Sequence, residues 1–342
     1  MVRPGLRRPA TLKDVAQMAG VSPTTVSRFL SGAITLPDGT AQRIHGAAAA
    51  LAYRPNPIAR SLGRGVSDTI GLALPDLSNP FFGQLAALIE ERAKAAGRLV
   101  MLASTANNLD EERRVIERLE RGYFDALLLA TNSTDDGRLA AAINASPGLI
   151  VLLDEDVPGA RAPRVFSDNR MGGALAGQAL VAAGHRLVAY LGGPDGVMSA
   201  RERGEGFRDG AAGAEVVALP CRDYAAEAGR EATERLLAER PGVTGIFFGS
   251  DVLMMGGLAC LRAARLRIGR DVSVVSFDDV GPLGFFDPPV TAVRHRLPDL
   301  ASAALNLVLG GLADVEPIEL RVAVDLVERA SVAPPLQWGN GK

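Results

Sequence analysis

In the segment 22–30, SPTTVSRFL, Thr24 and Arg28 stand four residues apart, with Thr25 and Ser27 beside them. On a helix that spacing puts Thr24 and Arg28 on one face. The chemistry open to such a face is the reading of base edges, where a guanidinium bonds guanine in pairs and hydroxyls bond more permissively. Pro23 has no N–H to donate, so its part there would be apolar contact with a thymine methyl. The elements that must hold this face are short. Ser22 is a good N-cap and Pro23 a good first helical residue, where a missing N–H costs nothing. Upstream, in TLKDVAQMAG, Leu12, Val15, Ala16 and Ala19 recur at helical spacing, and Gly20 supplies a left-handed turn. Two short helices joined by a glycine turn read as a helix-turn-helix whose second helix enters the DNA major groove. Taken alone, the segment also fits an ordinary helical hairpin in a larger core.

Charge favours the DNA reading. Residues 1–65 carry nine basic side chains (Arg3, Arg7, Arg8, Lys13, Arg28, Arg43, Arg54, Arg60, Arg64) against Asp14 and Asp38, a net of +7. The whole chain is −2, so everything after Gly65 carries −9. A basic head on an acidic body is the footprint of a nucleic-acid module joined to something that binds no nucleic acid.

Asp38 is expected to cap a third helix running to about Ala52, with Ile44, Ala47, Ala48 and Leu51 on its apolar face. In YRPNPIARSLGRG, residues 53–65, Asn56 reads as an N-cap and Pro57 as the first residue of a two-turn helix. A helix this short is marginal alone, so it is expected to be disordered until something holds it. Ile58 and Leu62 lie four apart beside Arg60 and Arg64, which suits a minor groove where an apolar wedge opens a base step. A plain linker is the alternative reading of this stretch.

These motifs carry a resemblance. TLKDVAQMAGVSPTTVSRFL followed by YRPNPIARSLGRG is similar to the headpiece and hinge of the lac repressor family of bacterial transcription regulators. The similarity continues through DLSNPFF, Arg201 to Arg203, VVSFDD and PPVTAVRH, as far as about Val332. It implies DNA contacts by Thr11, Pro23, Thr24, Thr25, Ser27, Arg28, Asn56, Ala59 and Leu62. It also implies a small all-α headpiece plus hinge helix, joined to a two-lobed α/β periplasmic-binding-protein-like core with parallel sheets. The expected layout is a headpiece over 1–55, a hinge over 56–67, a core over 68–332 and a tail over 333–342. Within the core, lobe one takes about 68–166 and 294–320, and lobe two about 167–293 and 321–332.

Length and composition agree. At 342 residues the chain has room for two or three domains, and 47% apolar content indicates a large buried core. No run approaches the ~20 apolar residues of a membrane span, and no apolar stretch precedes Thr11 as in a secretory leader. Cys221 and Cys260 read as reduced thiols. The chain is expected in the cytoplasm.

From Thr69 onward, short apolar runs (TIGLAL, LVMLA, ALLLA, LIVLLD, LVAYLGG, GIFFGS, DVSVVSF) alternate with helical patterns. Such runs indicate parallel sheets covered on both faces, with too many units for one compact sheet. In such sheets ligands bind beyond the carboxyl ends of the strands. DLSNPFF, Asp154, Ser250-Asp251 and Asp278-Asp279 stand at those ends. The resemblance, taken position by position, implies an effector site of Asn79, Phe81, Phe82, Asp154, Arg203, Ser250, Asp278 and His295. Carboxylates accept from vicinal hydroxyls, the guanidinium donates, and aromatic faces cover the apolar side of a sugar ring. This sequence departs from the family at Ser250, where asparagine is usual, and at His295, where glutamine is common. Two amide donors are thus missing and an ionisable ring has appeared, which strengthens the expectation of a charged sugar or sugar acid. Asp76 is expected to cap its turn, Asp279 to cap backbone, His185 to end a helix, and Phe81 and Phe82 to divide between cavity and core.

Enzyme signals are weak. There is no G-x-S-x-G, no Walker loop, no G-x-G-x-x-G after a strand, and no metal spacing among the three histidines and two cysteines. No cofactor or metal is therefore expected. A sugar-modifying α/β enzyme or a transport-type sugar-binding protein would leave the basic headpiece unexplained. The expectation is a homodimeric repressor that reads a pseudo-palindromic operator and is switched by a small effector, a sugar or sugar acid. The segment APPLQWGNGK shows no heptads, so no C-terminal coiled coil is expected.

If Arg28 reads a base, Arg28→Ala costs roughly 1–3 kcal/mol on the operator and relaxes preference at one position per half-site. Mobility-shift titrations on operator and random DNA check this; an equal loss on both would make Arg28 a phosphate contact.

Overall fold

A computed structural model describes residues 10–54, 66–132, 134, 137–310 and 318–336. The chain divides into two compact units, Met1–Ser67 and Asp68–Lys342. The predicted hinge helix, with Asn56, Ala59 and Leu62, lies outside the described residues.

In the first unit, α1 (Leu12–Ala19) starts with a capping box. Asp14 N–H donates to the Thr11 hydroxyl, and Thr11 N–H and Oγ1–H both donate to the Asp14 carboxylate. Gly20 then takes φ 65°, as the turn requires. Helix α2 (Pro23–Leu30) is capped by Ser22, whose Oγ accepts from Thr25 N–H at 3.1 Å. Helix α3 (Asp38–Ala50) corrects one expectation. Pro37 occupies its cap position and Asp38 is the first helical residue, where its charge complements the helix dipole without capping it. Val15, Ala16, Ala19, Val26, Ile44 and Ala47 close the core of this unit.

The second unit holds two six-stranded sheets. Its elements run β1 (Thr69–Leu74), α4 (Pro80–Ala95), β2 (Leu99–Ser104), α5 (Leu109–Glu120), β3 (Ala126–Ala130), α6 (Arg138–Ala145), β4 (Leu149–Leu153) and β5 (Arg164–Ser167). Then follow α7 (Asn169–Ala182), β6 (Leu187–Gly192), α8 (Met198–Gly210), β7 (Glu215–Pro220), α9 (Ala226–Glu239), β8 (Gly245–Phe248), α10 (Asp251–Ala263), β9 (Ser273–Phe277) and β10 (Thr291–His295). Helix α11 (Leu297–Leu309), β11 (Glu319–Val322) and β12 (Val324–Val327) end the fold. The sheet orders are β11-β5-β4-β3-β1-β2 and β12-β10-β9-β8-β6-β7, one pattern used twice. All pairings are parallel except that the edge strand β12 runs antiparallel to β10.

The chain crosses between lobes three times. Strand β5 belongs to the first sheet, but α7 packs under the second; β10 belongs to the second, but α11 packs under the first; β11 and β12 lie in different sheets. Leu72, Leu128, Val151 and Leu300 sit in the core of lobe one, and Val188, Phe247, Val275 and Val293 in that of lobe two. Among the described residues no helix is long and apolar enough to cross a membrane.

Helices α7 and α8 touch backbone to backbone. A Cβ on Gly173 would lie 2.1 Å from the Arg203 carbonyl oxygen, and one on Gly206 would lie 1.9 Å from that of Arg170. Only glycine permits this approach. Gly206→Ala must push the helices apart, and overpacking of this kind costs about 1–3 kcal/mol. Urea unfolding is expected to show that loss, whereas Gly39→Ala, which meets nothing within 4 Å, should leave the core transition in place.

Candidate functional site

The carboxyl ends of strands from both lobes line one cavity, bounded by Asn79, Phe81, Phe82, Asn132, Asp154, Ser199, Arg203, Tyr224, Ser250, Asp278 and His295. All eight residues expected at the effector site are among them. The space left is about 30 Å³, room for about two waters, so a sugar enters only if the lobes part or side chains swing.

The two sheets contribute in matching pairs. Asp154 follows β4 and Asp278 follows β9, its counterpart; Asn132 follows β3 and Ser250 follows β8. Asp154 and Asp278 both have left-handed backbone, φ 66° and 69°, a conformation that costs a non-glycine residue of the order of 1–3 kcal/mol.

Arg203, on α8, is buried between these carboxylates. Its Nε donates to Asn169 Oδ1 at 2.8 Å and its Nη1 to the Gly249 carbonyl at 2.6 Å, and the guanidinium lies 3.7 Å over the Phe277 ring. Burial works against its charge, but the neighbouring carboxylates, led by Asp278, hold it above its ordinary range. Burial likewise opposes ionisation of Asp278, yet the His295 hydrogen bond and the Arg203 charge win and keep its pKa low. Asp154 goes the other way. Burial pushes its carboxyl up against the pull of Arg203 and His295, and its Oδ1 is sealed from solvent with no hydrogen-bond partner among the described residues. Asp251, at the start of α10, is pushed up to about 7 by burial and the Asp278 charge.

His295 does something other than the sequence led one to expect. Its Nε2 meets Asp278 Oδ1 at 2.7 Å and its Nδ1 meets Ser167 Oγ at 2.6 Å. With Asp278 ionised, Nε2–H donates to it, while Nδ1 and the Ser167 hydroxyl satisfy each other. Both nitrogens are thus spent on the protein, and the ring, packed on Phe81 and Phe277, offers a ligand only its surface. The expected division of Phe81 from Phe82 is also corrected. Both are buried in the core of lobe one, 5.0 Å apart edge to face, and both line the cavity.

Other expectations sort simply. Asn79 caps α4 through its Oδ1, which accepts from Phe81 N–H, and Ser250 caps α10 by accepting from Leu253 N–H. Asp76 caps its turn by accepting from Ser78. Asp279 is not a backbone cap; it pairs with Arg294 and Arg329. His185 ends α7 and bonds Thr244. Cys221 and Cys260 are free and buried. Three cavity residues were not foreseen. Asn132 obeys the same strand-end rule as Asp154, and Ser199 lies one turn before Arg203. Tyr224 follows β7, and its hydroxyl lies 3.2 Å from that of Ser199; burial pushes its phenol up to about 12, so it keeps its proton.

On the headpiece, Pro23, Thr24, Ser27 and Arg28 are exposed on α2. Thr25 is half-buried and bonds Ser22 through its hydroxyl, while the hydroxyl of Thr11 serves the capping box.

A family model described as bacterial regulatory proteins, lacI family, matches residues 11–56, and one for a periplasmic binding protein-like domain matches residues 178–332. The HTH-type transcriptional regulator GalR of Escherichia coli is 30% identical over 333 residues, 95% of this chain and 96% of GalR. The ribose operon repressor of Halalkalibacterium halodurans is 32% identical over 301 residues, 87% of this chain and 89% of the repressor. A lac repressor dimer bound to operator and the anti-inducer ONPF shares the fold with a TM-score of 0.82 at 27% identity, over 95% of this chain and 100% of that one. A complex of the transcriptional regulator CelR with cellobiose gives 0.68 at 28% identity, over 94% and 99%. With a helix-turn-helix before a two-lobed core, and with relatives matched over nearly its full length, this chain belongs to the lacI family of bacterial regulatory proteins.

Proposed function

We propose that the chain is a homodimeric operator-binding repressor of the cytoplasm whose DNA affinity is switched by an uncharged sugar held between the two lobes. The observation that carries this reading is the cavity itself, where Asp154, Asp278 and Arg203 converge from both lobes with the sealed Oδ1 of Asp154 still unsatisfied. A hydroxyl donates to that oxygen and accepts from Tyr224 or Asn132, and the Phe81 and Phe82 rings cover apolar ring faces. A sugar acid fits less well than the sequence alone allows. Two of the three Arg203 nitrogens are engaged, both nitrogens of His295 are used, and two carboxylates repel an anion.

The DNA-reading role rests on the exposed face of Thr24 and Arg28 and on the basic head. CelR carries cellobiose and the lac repressor dimer carries operator in the structures that resemble this one. The edge strand β2 exposes Leu99, Met101 and Leu102, and Phe285 is 92% exposed, apolar surface that a second copy would cover. An enzymatic reading finds no support in the Ser167–His295–Asp278 chain. Ser167 is buried and is not among the residues that line the cavity.

Operator Kd measured with and without each member of a sugar panel tests the proposal, beside an assay for sugar turnover. The active sugar should change operator affinity by ~5–150-fold, and operator should change sugar affinity by the same factor. Arg203→Ala and the isosteric Asp154→Asn should abolish that response and leave operator binding intact. If both variants respond with unchanged sugar affinity, the cavity is not the effector site.

A further inference from the structure

The carboxylate of Glu155 is not among the groups that line the cavity. It lies one residue beyond Asp154 in lobe one, is 2% exposed, and reaches into lobe two. Its Oε1 accepts from Met198 N–H at 2.6 Å and its Oε2 from Ser199 N–H at 3.0 Å. These are the first two residues of α8, and the cap position before them, Val197, makes no side-chain hydrogen bond. A helix start carries orphan N–H groups and partial positive charge, for which a carboxylate is the natural complement. Here that carboxylate belongs to the other lobe. The same helix is tied to lobe one twice more. Arg321 of β11 forks onto Glu202 at 2.6 and 2.9 Å, and the Met198 side chain packs with Leu127, Val157 and Phe166.

We propose that Glu155 is a positioning residue for the effector response, a cross-lobe latch that seats the first turn of α8 on lobe one and thereby sets Ser199 and Arg203 in the closed cavity. This rests on the interlobe effector site proposed above. When the lobes part, the Met198 and Ser199 amides lose their acceptor and the carboxylate returns to water. Latch and effector therefore draw on one equilibrium, and apparent effector affinity follows the fraction of closed molecules.

The latch is sensitive to protons. Asp154 faces Glu155 from the end of β4, and Tyr224 and the Ser199 side chain face it from lobe two. Asp156, beside it, is paired with Arg164 of β5. Burial, with the Asp154 charge adding to it, pushes the Glu155 carboxyl up to about 7 although the Ser199 and Met198 amides pull it down. Parted lobes return it toward its ordinary 4.5. The closed form thus holds a proton more tightly, so closure takes one up between those values. Closure is favoured as pH falls through about 7 and opposed above it.

The test uses the full chain without any sugar, carrying spin labels at Asp110→Cys and Arg222→Cys on opposite walls of the cleft mouth. The wild-type residue at 155 should give a short inter-label distance whose population grows as pH is lowered through 7. Glu155→Gln, of the same shape but neutral at every pH, should hold the distribution near its low-pH, short-distance form and flatten its pH response. Glu155→Ala, which removes both acceptors, should lengthen the distances and speed amide exchange at Met198 and Ser199 about five- to tenfold, the worth of a helix cap. Glu155→Asp, with charge on a shorter stem, should regain the pH response. An unchanged pH response in Glu155→Gln, or unchanged distances and exchange in Glu155→Ala, overturns the proposal, and so does a variant that only melts earlier with its distances unaltered. Because no sugar is present, this result is independent of whether the cavity binds one, which Arg203→Ala and Asp154→Asn decide separately.

Discussion

A strand covered by helices on both faces has nowhere to put a polar side chain except at its ends. That constraint organises this molecule. Strands β1, β3, β4, β6, β8 and β9 are apolar nearly throughout, and their polar residues gather where each strand stops. Because one strand order is used twice, the two sheets supply matched residues, Asp154 with Asp278 and Asn132 with Ser250. A single lobe could present only half of such a set. The cavity thus depends on lobe pairing, and any ligand that bridges the halves has different interaction energy in open and closed forms, the requirement for a switch.

Placing two carboxylates and a guanidinium together out of water costs several kcal/mol per ion before their attraction and hydrogen bonds are counted. The fold offsets this by fixing Arg203 from three sides. The glycine contact between α7 and α8 brings the Arg203 backbone against α7, so that Asn169 at the start of α7 accepts from Nε, Gly249 accepts from Nη1, and the Phe277 face lies beneath. Arg203 in turn keeps Asp278 charged. Asp154, farther from compensation, retains an unsatisfied oxygen, and it is the group with most to gain from a ligand hydroxyl.

Much of this was legible in the sequence because it follows from local rules. The period of Leu12, Val15, Ala16 and Ala19, the Ser22-Pro23 start and the apolar strand runs each announce an element without tertiary help. The strand-end rule and the family resemblance together found Asp154, Ser250, Asp278 and Arg203. What escaped was decided by contacts between distant segments. Strand β7 alternates exposed and half-buried residues at a sheet edge, so it reads weakly, and Tyr224 just beyond it went unnoticed. Strands β5, β11 and β12 have four residues each and acquire their meaning from crossing between lobes. Asp279 sits beside Asp278 in sequence, but its role as partner of Arg294 and Arg329 is a fact of three dimensions.

The residue at 295 shows how far a side chain's meaning depends on its neighbours. Read by type, a histidine in place of a glutamine adds an ionisable group to a ligand site. In the fold it is a rigid connector. It closes β10 at one crossing between lobes, its Nδ1 receives Ser167 at the end of β5, the other side of a crossing, and its Nε2 reaches Asp278 at the end of β9. Three strand ends from two sheets are thus joined through one planar ring held by Phe81 and Phe277. A group that bonds Asp278 therefore shares with His295 a carboxylate that is already tied to the crossing strands.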